Sequence, residues 1–288
     1  MSFNTIGIIG KFSDPTLGIT IETLGNFLLS KGARVLLEQG GSETLTHSPN
    51  LETADIATLG TECDLVIIVG GDGTLLHAAR ELSDYDIPLV GINLGRLGFL
   101  VDISPTKMTD ELSNILDGHY YEDQRFLLKS AIIRDQKIIH EGDALNDVVL
   151  HKWNTVRMIE FETYVDGQLV NSQRSDGLII STPTGSTAYA LSTGGPIMHP
   201  SLNAVVMVPV CPHTLSNRPL VICGDSFIEL LVKDGLEDQV HITLDGQLNF
   251  GLQQDDRIQI RKKDKPIRLL HPEKHDHFQI LRAKLHWG

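Results

Sequence analysis

The chain has 288 residues, of which 41% are hydrophobic and 21% are charged, so it is globular and long enough for two ordinary domains. Lys and Arg total 24 against 37 Asp and Glu, a net charge of −13, which argues against nonspecific binding to nucleic acid or to an anionic lipid surface. No apolar run approaches membrane-spanning length, and the N-terminus lacks a basic region followed by an apolar stretch.

The first 120 residues alternate short apolar runs with segments of helical periodicity. Strands are predicted at residues 5–10, 34–37, 65–69 and 87–93, and helices around 21–28, 75–82 and 108–116. Residues 40–59 are polar and poorly periodic, which predicts a surface excursion. The alternation predicts an α/β domain over residues 1–120, with a parallel sheet that binds ligands at the carboxyl ends of its strands.

The sequence pattern changes after about residue 120, where short strand-like segments follow one another with little helix. Residues 157–165 alternate between two faces, and Asp166-Gly167 and Asp245-Gly246 are typical hairpin turns. This pattern predicts a β-rich domain over residues 121–270. We expect the tail, residues 271–288, to return to the first domain.

The stretch at residues 65–74 is the most informative part of the first half. Five apolar residues, four of them β-branched, predict a buried strand that ends in Gly-Gly-Asp-Gly-Thr at residues 70–74. Thr74 is predicted to N-cap the next helix, and glycines permit positive φ and let an anion approach the backbone. Asp72 suits a divalent cation, the orientation of a hydroxyl, or the acceptance of that hydroxyl's proton. The alternative is an ordinary turn whose Asp caps the helix.

Two short polar stretches precede apolar runs in the second half. Asn146 and Asp147 place a carboxamide beside a carboxylate, a pair that can bond ribose hydroxyls or an adenine edge; an ordinary turn is the alternative. Arg174 precedes a second apolar run and suits a phosphate or a carboxylate through its planar guanidinium. The alternative for Arg174 is a local surface pair with Asp176.

Residues 181–192 form an unusually hydroxyl-rich segment. Few structural loops need so many Ser and Thr residues between a buried strand and a helix, so spare donors are available for a ligand. Tyr189 offers a flat face for a base. This segment therefore predicts part of a binding site.

Other conspicuous residues favour structural interpretations. The three cysteines have no metal-like spacing, which indicates reduced thiols in a cytoplasmic protein. His271, His275 and His277 cluster near the C-terminus, but without an evident carboxylate partner we expect them to be solvated rather than bound to metal.

Together, the polar stretches at residues 70–74, 146–147, 174–177 and 182–189 closely resemble those of the bacterial NAD kinases, and the resemblance covers essentially the whole chain. The glycine–aspartate turn alone is weak evidence, because lipid kinases and phosphofructokinases are similar there, whereas the later stretches are specific in combination. The resemblance implies an α/β domain followed by a β-sandwich-like domain. It also implies transfer of the γ-phosphate of ATP, or of polyphosphate in some members, to the 2′-hydroxyl of the adenosine ribose of NAD.

The resemblance also assigns residues to roles. Asp72 matches the family's catalytic aspartate, which implies a general base, and Asn146 and Asp147 match a dinucleotide-binding pair that is usually Asn-Glu. The residues implied to bind NAD or nucleotide are Gly70, Gly71, Gly73, Thr74, His77, Asn146, Asp147, Arg157, Arg174, Asp176, Thr187, Ala188, Tyr189, Ser192 and Gln247. His77 and Arg157 fall at positions that vary in the family.

The resemblance implies that NAD and ATP are the small-molecule partners, that a divalent cation, expected to be Mg²⁺, accompanies ATP, and that the chain forms a homodimer or homotetramer. Two alternatives from other classes stay open at this stage. One is a lipid kinase that uses the same glycine–aspartate turn, although the chain shows no basic or amphipathic membrane face. The other is a nucleotide sensor that keeps the pocket without catalysis.

Overall fold

The computed structural model describes residues 3–10, 17–40, 51–95, 97–234 and 239–287. The chain divides into two compact units, unit 1 with Met1–Gln124 and Ile267–Gly288, and unit 2 with Arg125–Pro266. The sequence predicts boundaries at residues 120 and 270, which place residues 267–270 in the second domain, whereas the strand that contains them lies in the sheet of unit 1. Its apolar pattern does not reveal which sheet it joins. No helix in these ranges is both long and apolar enough to cross a membrane.

The elements are named in chain order. The strands are β1 (Thr5–Gly10), β2 (Arg34–Glu38), β3 (Glu52–Ala54), β4 (Leu65–Gly70), β5 (Pro88–Asn93), β6 (Tyr120–Arg125), β7 (Leu128–Arg134), β8 (Lys137–Ala144), β9 (Asp147–Lys152), β10 (Ile159–Val165), β11 (Gln168–Ser175), β12 (Gly177–Ser181), β13 (Ala204–Val210), β14 (Leu220–Cys223), β15 (Ile228–Asp234), β16 (Val240–Leu244), β17 (Leu248–Gly251), β18 (Arg257–Lys262) and β19 (Ile267–Pro272). The helices are α1 (Leu17–Ser30), α2 (Ile56–Glu62), α3 (Asp72–Glu81), α4 (Met108–Leu116), α5 (Tyr189–Ser192) and α6 (His277–Leu285).

Unit 1 contains a seven-stranded sheet in the order β3-β2-β1-β4-β5-β19-β6. Its strands pair in parallel from β3 to β19, as the alternation of strands and helices predicts. All six residues of the central strand β4 are buried, which explains its continuous apolar sequence. The carboxyl ends of β4 and β5 lie side by side, with Gly70 in register with Asn93, so the loops that follow them are neighbours.

Two parts of unit 1 differ from the expectation. The excursion predicted at residues 40–59 contains β3 and the start of α2 in its described part, and Asp55 N-caps α2 by accepting a hydrogen bond from the backbone N–H of Thr58 at 2.8 Å. Residues 41–50 lie outside the described ranges. The tail, for which the sequence defined no secondary structure, forms α6, and Asp276 caps its N-terminus.

Unit 2 consists of two six-stranded antiparallel sheets, β11-β10-β15-β18-β7-β8 and β14-β13-β12-β9-β16-β17. One apolar core takes side chains from both sheets, such as Phe161 and Ile260 from the first and Leu150 and Ile242 from the second, which is the packing of a β-sandwich. A smaller cluster that includes Ala190 covers the other face of the second sheet. The central strands β9 and β12 are therefore buried on both faces, and their sequences read as continuous apolar runs.

Candidate active site

In unit 1, a single residue separates β4 from α3. Gly71 is the N-cap, with φ −105° and ψ −174°, and the helix begins at Asp72. The prediction that Thr74 N-caps the helix is wrong, because Thr74 already lies in the first turn, where its backbone N–H donates to the carbonyl oxygen of Gly71 at 3.0 Å. Gly73 also belongs to this first turn, so the predicted glycine loop is largely the helix N-terminus itself.

The glycines serve close approach rather than unusual backbone angles. The glycines with positive φ lie elsewhere in the described chain, so the positive φ that glycine permits is not used at residues 70–73. A Cβ on Gly70 would lie 2.4 Å from Oγ1 of Thr74, whereas a Cβ on Gly71 would meet no atom within 4 Å. Gly71 therefore borders open space at the N-terminus of a ten-residue helix, where an anion is favoured by the helix dipole.

The carboxylate of Asp72 is held by the loop that follows β5. Its Oδ2 accepts a hydrogen bond from the backbone N–H of Phe99 at 2.9 Å. Its Oδ1 accepts bonds from the N–H groups of Leu100 at 3.0 Å and Val101 at 3.3 Å. Three fixed donors orient a half-buried carboxylate at the carboxyl edge of the sheet, where ligands bind in such folds.

Gly98 makes this arrangement possible and was given no role by the sequence analysis. A Cβ at Gly98 would lie 2.1 Å from Oδ1 of Asp72, so any other residue there would displace the carboxylate. The sequence signal that could have predicted this role is the occurrence of Gly95 and Gly98 directly after a predicted buried strand. His77, on the exposed face of α3, lies in the same unit.

In unit 2, the Asn146-Asp147 pair is anchored by a hairpin turn. Asp245 and Gly246 have φ of 51° and 64° and join β16 to β17, as their sequence predicts. The carboxylate of Asp245 accepts hydrogen bonds from the backbone N–H groups of Leu145 at 3.0 Å, Asn146 at 2.7 Å and Asp147 at 3.2 Å. The turn thereby fixes the backbone of both predicted binding residues, and the role of Asp245 was not predicted.

The hydroxyl-rich segment binds the backbone carbonyl groups at and just before the Asn146-Asp147 pair. The Thr182 hydroxyl donates to the carbonyl oxygen of Leu145 at 2.6 Å, and the Thr182 backbone N–H donates to that of Asn146 at 2.9 Å. A Cβ on Gly185 would lie 2.2 Å from the same Asn146 oxygen. Several hydroxyls of residues 181–186 thus serve internal hydrogen bonds rather than standing free for a ligand.

A cavity of about 550 Å³ opens beside this pair in unit 2. Five of the predicted binding residues line it: Asn146, Asp147, Asp176, Ala188 and Tyr189. Tyr189 is 45% exposed and lines this cavity. The remaining predicted residues of unit 2 do not line the cavity: Arg157, Arg174, Thr187, Ser192 and Gln247.

The local pair considered for Arg174 and Asp176 does not form. Arg174 Nε lies 3.6 Å from Glu160 across β10 and β11, and Asp176 lies 2.7 Å from Lys152 Nζ. Strand alternation by itself would bring residues 174 and 176 to one face, but Glu160 and Lys152 on neighbouring strands are the opposite charges that the two side chains contact. Asp176 therefore reaches the cavity and Arg174 projects elsewhere.

Asp147 has an environment that favours its neutral form. Its side chain is 5% exposed, and burial together with the nearby Asp245 carboxylate raises the pKa of Asp147 to about 7. The unfolded-state pKa is about 3.9. An acid whose folded pKa is raised stabilises the fold below its unfolded pKa, and that contribution is lost as the pH rises through the folded pKa.

In the Asp147→Asn variant, the free energy of unfolding is therefore expected to depend less on pH than in the wild type. Between about pH 4 and about pH 7, the unfolding free energy of the wild type should fall relative to that of the variant by up to ~4 kcal/mol, since each unit of pKa is worth about 1.36 kcal/mol. Urea unfolding of both proteins at several pH values measures the difference. A difference that stays constant over this range would contradict the raised pKa of Asp147.

Two C-terminal histidines of unit 1 share a carboxylate, contrary to the expectation that they are solvated. His271 Nδ1 and His275 Nδ1 lie 3.0 Å and 2.8 Å from Oδ2 of Asp102, and both histidines are almost completely buried. Burial by itself would raise the pKa of Asp102, but the bonds from the two imidazoles outweigh it and hold this pKa well below its usual range. The partner was not evident because it lies 169 positions before His271.

Comparison with known proteins agrees with both units. The family model of the ATP-NAD kinase N-terminal domain matches residues 6–120, and that of the ATP-NAD kinase C-terminal domain matches residues 145–271. The NAD kinase of Nitrosococcus oceani is 49% identical over 286 residues, 99% of this chain and 97% of that protein. The NAD kinase of Pseudomonas putida strain GB-1 is also 49% identical, over 99% of this chain and 96% of that protein.

Two solved structures have the same fold. A yeast NADH kinase complexed with NADH aligns with a TM-score of 0.92 and 23% identity, over 100% of this chain and 88% of that one. An NAD kinase from Archaeoglobus fulgidus in complex with ATP aligns with a TM-score of 0.76 and 26% identity, over 99% and 100% of the two chains. With both halves matched and nearly half of all residues identical to those of full-length relatives, the chain belongs to the NAD kinase family.

Proposed function

We propose that the chain carries out the NAD kinase reaction with Asp72 as its general base and with NAD held at the cavity beside Asn146 and Asp147. The reaction transfers the γ-phosphoryl group of ATP to the 2′-hydroxyl of the adenosine ribose of NAD and yields NADP. The observation that carries the assignment of the base is the fixed carboxylate of Asp72, held by three backbone N–H groups at the carboxyl edge of a parallel sheet.

The chemistry asks little of the base beyond orientation. The transition state of phosphoryl transfer is loose in most analyses, so the proton of the attacking hydroxyl leaves late. A carboxylate with one remaining lone-pair direction, fixed by the N–H groups of Phe99, Leu100 and Val101, suits the task of accepting that hydroxyl's hydrogen bond and then its proton. Catalysis then depends on positioning, which the N–H groups of residues 99–101 supply.

The open space beside Gly71 is the proposed location of the ATP phosphates. The N-terminus of α3 favours negative charge there, and Gly70, Gly73 and Thr74 complete the turn. A magnesium ion there would be held mainly by phosphates and water, which leaves the free lone pair of Asp72 for the attacking hydroxyl. When bound with ATP, Mg²⁺ offsets the phosphate charge, which matters in a chain of net charge −13.

The adenosine part of NAD is assigned to the unit 2 cavity. Asn146 and Asp147 offer a carboxamide and a carboxyl group to ribose hydroxyls or to the adenine edge, while Tyr189 offers its face to the base. Backbone bonds from Asp245 and Thr182 preset the pair before a ligand arrives, so little ordering remains to oppose binding.

Asn146→Ala should raise the KM for NAD by about 10-fold, the effect of losing one or two hydrogen bonds to a ligand, and should change the KM for ATP much less. The backbone N–H and carbonyl of Asn146 carry its structural bonds, so the truncation leaves them in place. Steady-state kinetics with each substrate varied in turn gives both constants.

Asn249→Ala is the matched control for this variant. Asn249 lies on β17 of the same unit and contacts His241, outside the cavity, so both KM values should remain those of the wild type. Equal increases in the two KM values for Asn146→Ala would show that the residue shapes a turn rather than reads NAD.

The comparisons argue against the lipid kinase, whereas the nucleotide sensor must be tested by an assay. A lipid kinase would share the glycine–aspartate turn alone, whereas the ATP-NAD kinase C-terminal domain matches residues 145–271. A nucleotide sensor without catalysis differs from a kinase only in turnover, and a direct assay of NADP formation decides between them.

We also infer that the chain assembles as a homodimer or homotetramer in the cytoplasm. Its free cysteines, Cys63, Cys211 and Cys223, suit a reducing compartment. The edge strand β14 of unit 2 exposes Leu220 and Val221, and exposed apolar edges favour pairing with another chain. An interface at this edge has an apolar centre and does not depend on ion pairs.

High salt is therefore expected to leave the oligomer intact, because screening weakens the repulsion between chains of net charge −13. Val221→Lys should shift the population towards monomers, since it places charge in the apolar contact. Light scattering at low and high salt, with activity followed on dilution, measures both effects. A fully active wild-type monomer at every concentration would contradict the assembly.

A further inference from the structure

Three side chains from distant parts of the sequence converge within unit 1. Asp102 follows the loop after β5, His271 lies on β19, and His275 lies in the turn before α6. The Nδ1 atoms of His271 and His275 lie 3.0 Å and 2.8 Å from one oxygen of Asp102, and a ligand atom of each side chain lies within 4.8 Å of the other two. We propose that Asp102, His271 and His275 bind a divalent transition-metal ion of the Zn²⁺ type.

The spacing and the donor types fit such an ion. Imidazole nitrogens and carboxylate oxygens bind Zn²⁺ at about 2.0–2.2 Å, and ligand atoms at that distance lie about 3.0–3.4 Å apart when they subtend angles of about 90–109°. The two nitrogen–oxygen separations of 3.0 Å and 2.8 Å therefore need to open by a few tenths of an ångström, and the two nitrogens, which lie within 4.8 Å of each other, must reach the same range. Imidazole suits zinc, cobalt and nickel, whereas magnesium prefers oxygen ligands, so this ion differs from the one that accompanies ATP.

The trio is also held together in a way that prepares the site. The rings of His271 and His275 stack with centroids 4.0 Å apart, and the ring of Tyr121 stacks on His275 at 5.8 Å. The Nε2 atom of His271 is buried and has no hydrogen-bond partner among the described residues, so the polar contact of this ring is the one with Asp102. Packing therefore keeps the three side chains together, and the two rings must tilt from their interplanar angle of 28° so that the in-plane lone pair of each Nδ1 points at one ion.

The site has room for further ligands. A cavity of about 410 Å³ reaches Asp102 and His275, and its lining includes Ser104, Lys274 and Gln279. Three protein ligands with an open position is the arrangement in which zinc keeps a water molecule or another small donor. The ion can therefore enter from the cavity and complete its coordination there.

A bound ion would join the C-terminal segment to the loop that holds Asp72. Asp102 directly follows the residues whose N–H groups bond the Asp72 carboxylate, and Lys284 of α6 already lies over the Phe99 ring, 5.1 Å from its centroid. The ion should therefore rigidify the residue 99–102 segment. This consequence for catalysis rests on the proposed role of Asp72, whereas the binding of the ion does not.

Co²⁺ provides the direct probe, because its visible absorption reports nitrogen and oxygen ligation. Full-length protein freed of metal by a chelator is titrated with Co²⁺ in buffer that contains excess Mg²⁺, and then with Zn²⁺ in competition. We expect one Co²⁺ per chain, its displacement by Zn²⁺, and a Tm that rises with added Zn²⁺ because the ion binds the native state. None of these readouts requires turnover, so they stand apart from any failure of the kinase assignment.

Asp102→Asn and His275→Phe should each abolish the Co²⁺ absorption and the rise in Tm. The first keeps the size of the side chain and the second keeps a ring for stacking on Tyr121, and circular dichroism confirms that each is folded. His241→Ala, which alters the His151–His241 pair of unit 2, is the control and should bind as the wild type does. Folded wild type that binds no Co²⁺, or variants that bind it equally well, would overturn the proposal and leave a hydrogen-bonded cluster.

Discussion

Asp72→Asn is expected to lower the kcat for NAD phosphorylation by about 10²–10⁴-fold, the usual effect of removing a general base, with the KM for NAD close to that of the wild type. An asparagine amide accepts the N–H groups of Leu100 and Val101 through its oxygen, but it cannot take up the proton of the attacking hydroxyl. Its NH₂ group would face the N–H of Phe99, a contact between two donors that costs about 1–3 kcal/mol. That loss is smaller than the stability of a typical domain, so the fold should persist.

Asp64→Asn is the matched control for this experiment. Asp64 precedes β4, at the opposite end of the strand that Asp72 follows, and its carboxylate accepts the N–H groups of Asn4 at 2.7 Å and Thr5 at 2.9 Å. Because both bonds go to Oδ2, one asparagine oxygen can accept them, so this variant should lose less stability than Asp72→Asn and retain wild-type kcat. Steady-state kinetics and thermal unfolding of both variants separate chemistry from folding. Near-normal kcat in Asp72→Asn would remove Asp72 from its role as base.

Gly185→Ala is expected to destabilise unit 2 by about 3 kcal/mol, the upper part of the range for overpacking, and to raise the KM for NAD. The new Cβ would lie 2.2 Å from the carbonyl oxygen of Asn146 and 2.5 Å from its carbonyl carbon, and neither backbone atom can rotate away. Asn146 must therefore move, and with it the bond from its oxygen to the Thr182 N–H. Urea unfolding and the KM for NAD measure the two effects.

Gly95→Ala isolates the steric part of this effect. A Cβ on Gly95 would meet no atom within 4 Å, and its φ lies outside the left-handed region. Both substitutions reduce the freedom of the unfolded chain by the same amount, so the difference between their unfolding free energies reports the clash alone. Equal stabilities for the two variants would show that the loop at residues 182–185 yields without cost.

The interior strands were predictable from sequence, and the edge strands were predictable only in part. The continuous apolar runs of β4, β9 and β12 mark strands buried on both faces. The edge strands β3, β6 and β14 have no signal in the sequence, whereas the edge strands β11 and β17 follow the predicted hairpin turns at Asp166-Gly167 and Asp245-Gly246. An edge strand is partly solvated and carries mixed polar residues, as in Gln168–Ser175, so neither alternation nor an apolar run reveals it.

The residues of the candidate site were predictable from sequence, whereas the groups that hold them in place were not. Asp72, Asn146 and Asp147 stand out because polar residues directly adjoin buried runs, and the family resemblance assigns them roles. The groups that hold these residues are distant in sequence. The N–H of Phe99 lies 27 positions after Asp72, and the carboxylate of Asp245 lies 99 positions after Asn146. Such contacts depend on the register of strands that are distant in sequence. Single-sequence patterns carry no information about that register, which also explains why the Asp102 partner of His271 was not foreseen.

Formation of NADP tests the central claim most directly. Purified protein is incubated with Mg²⁺, ATP and NAD, and NADP is measured with an NADP-specific dehydrogenase, with Asp72→Asn run in parallel. We expect one NADP for each ATP consumed by the wild type and about 10²–10⁴-fold slower formation by the variant. Folded wild-type protein that binds NAD and ATP but forms no NADP would contradict it and indicate a nucleotide sensor.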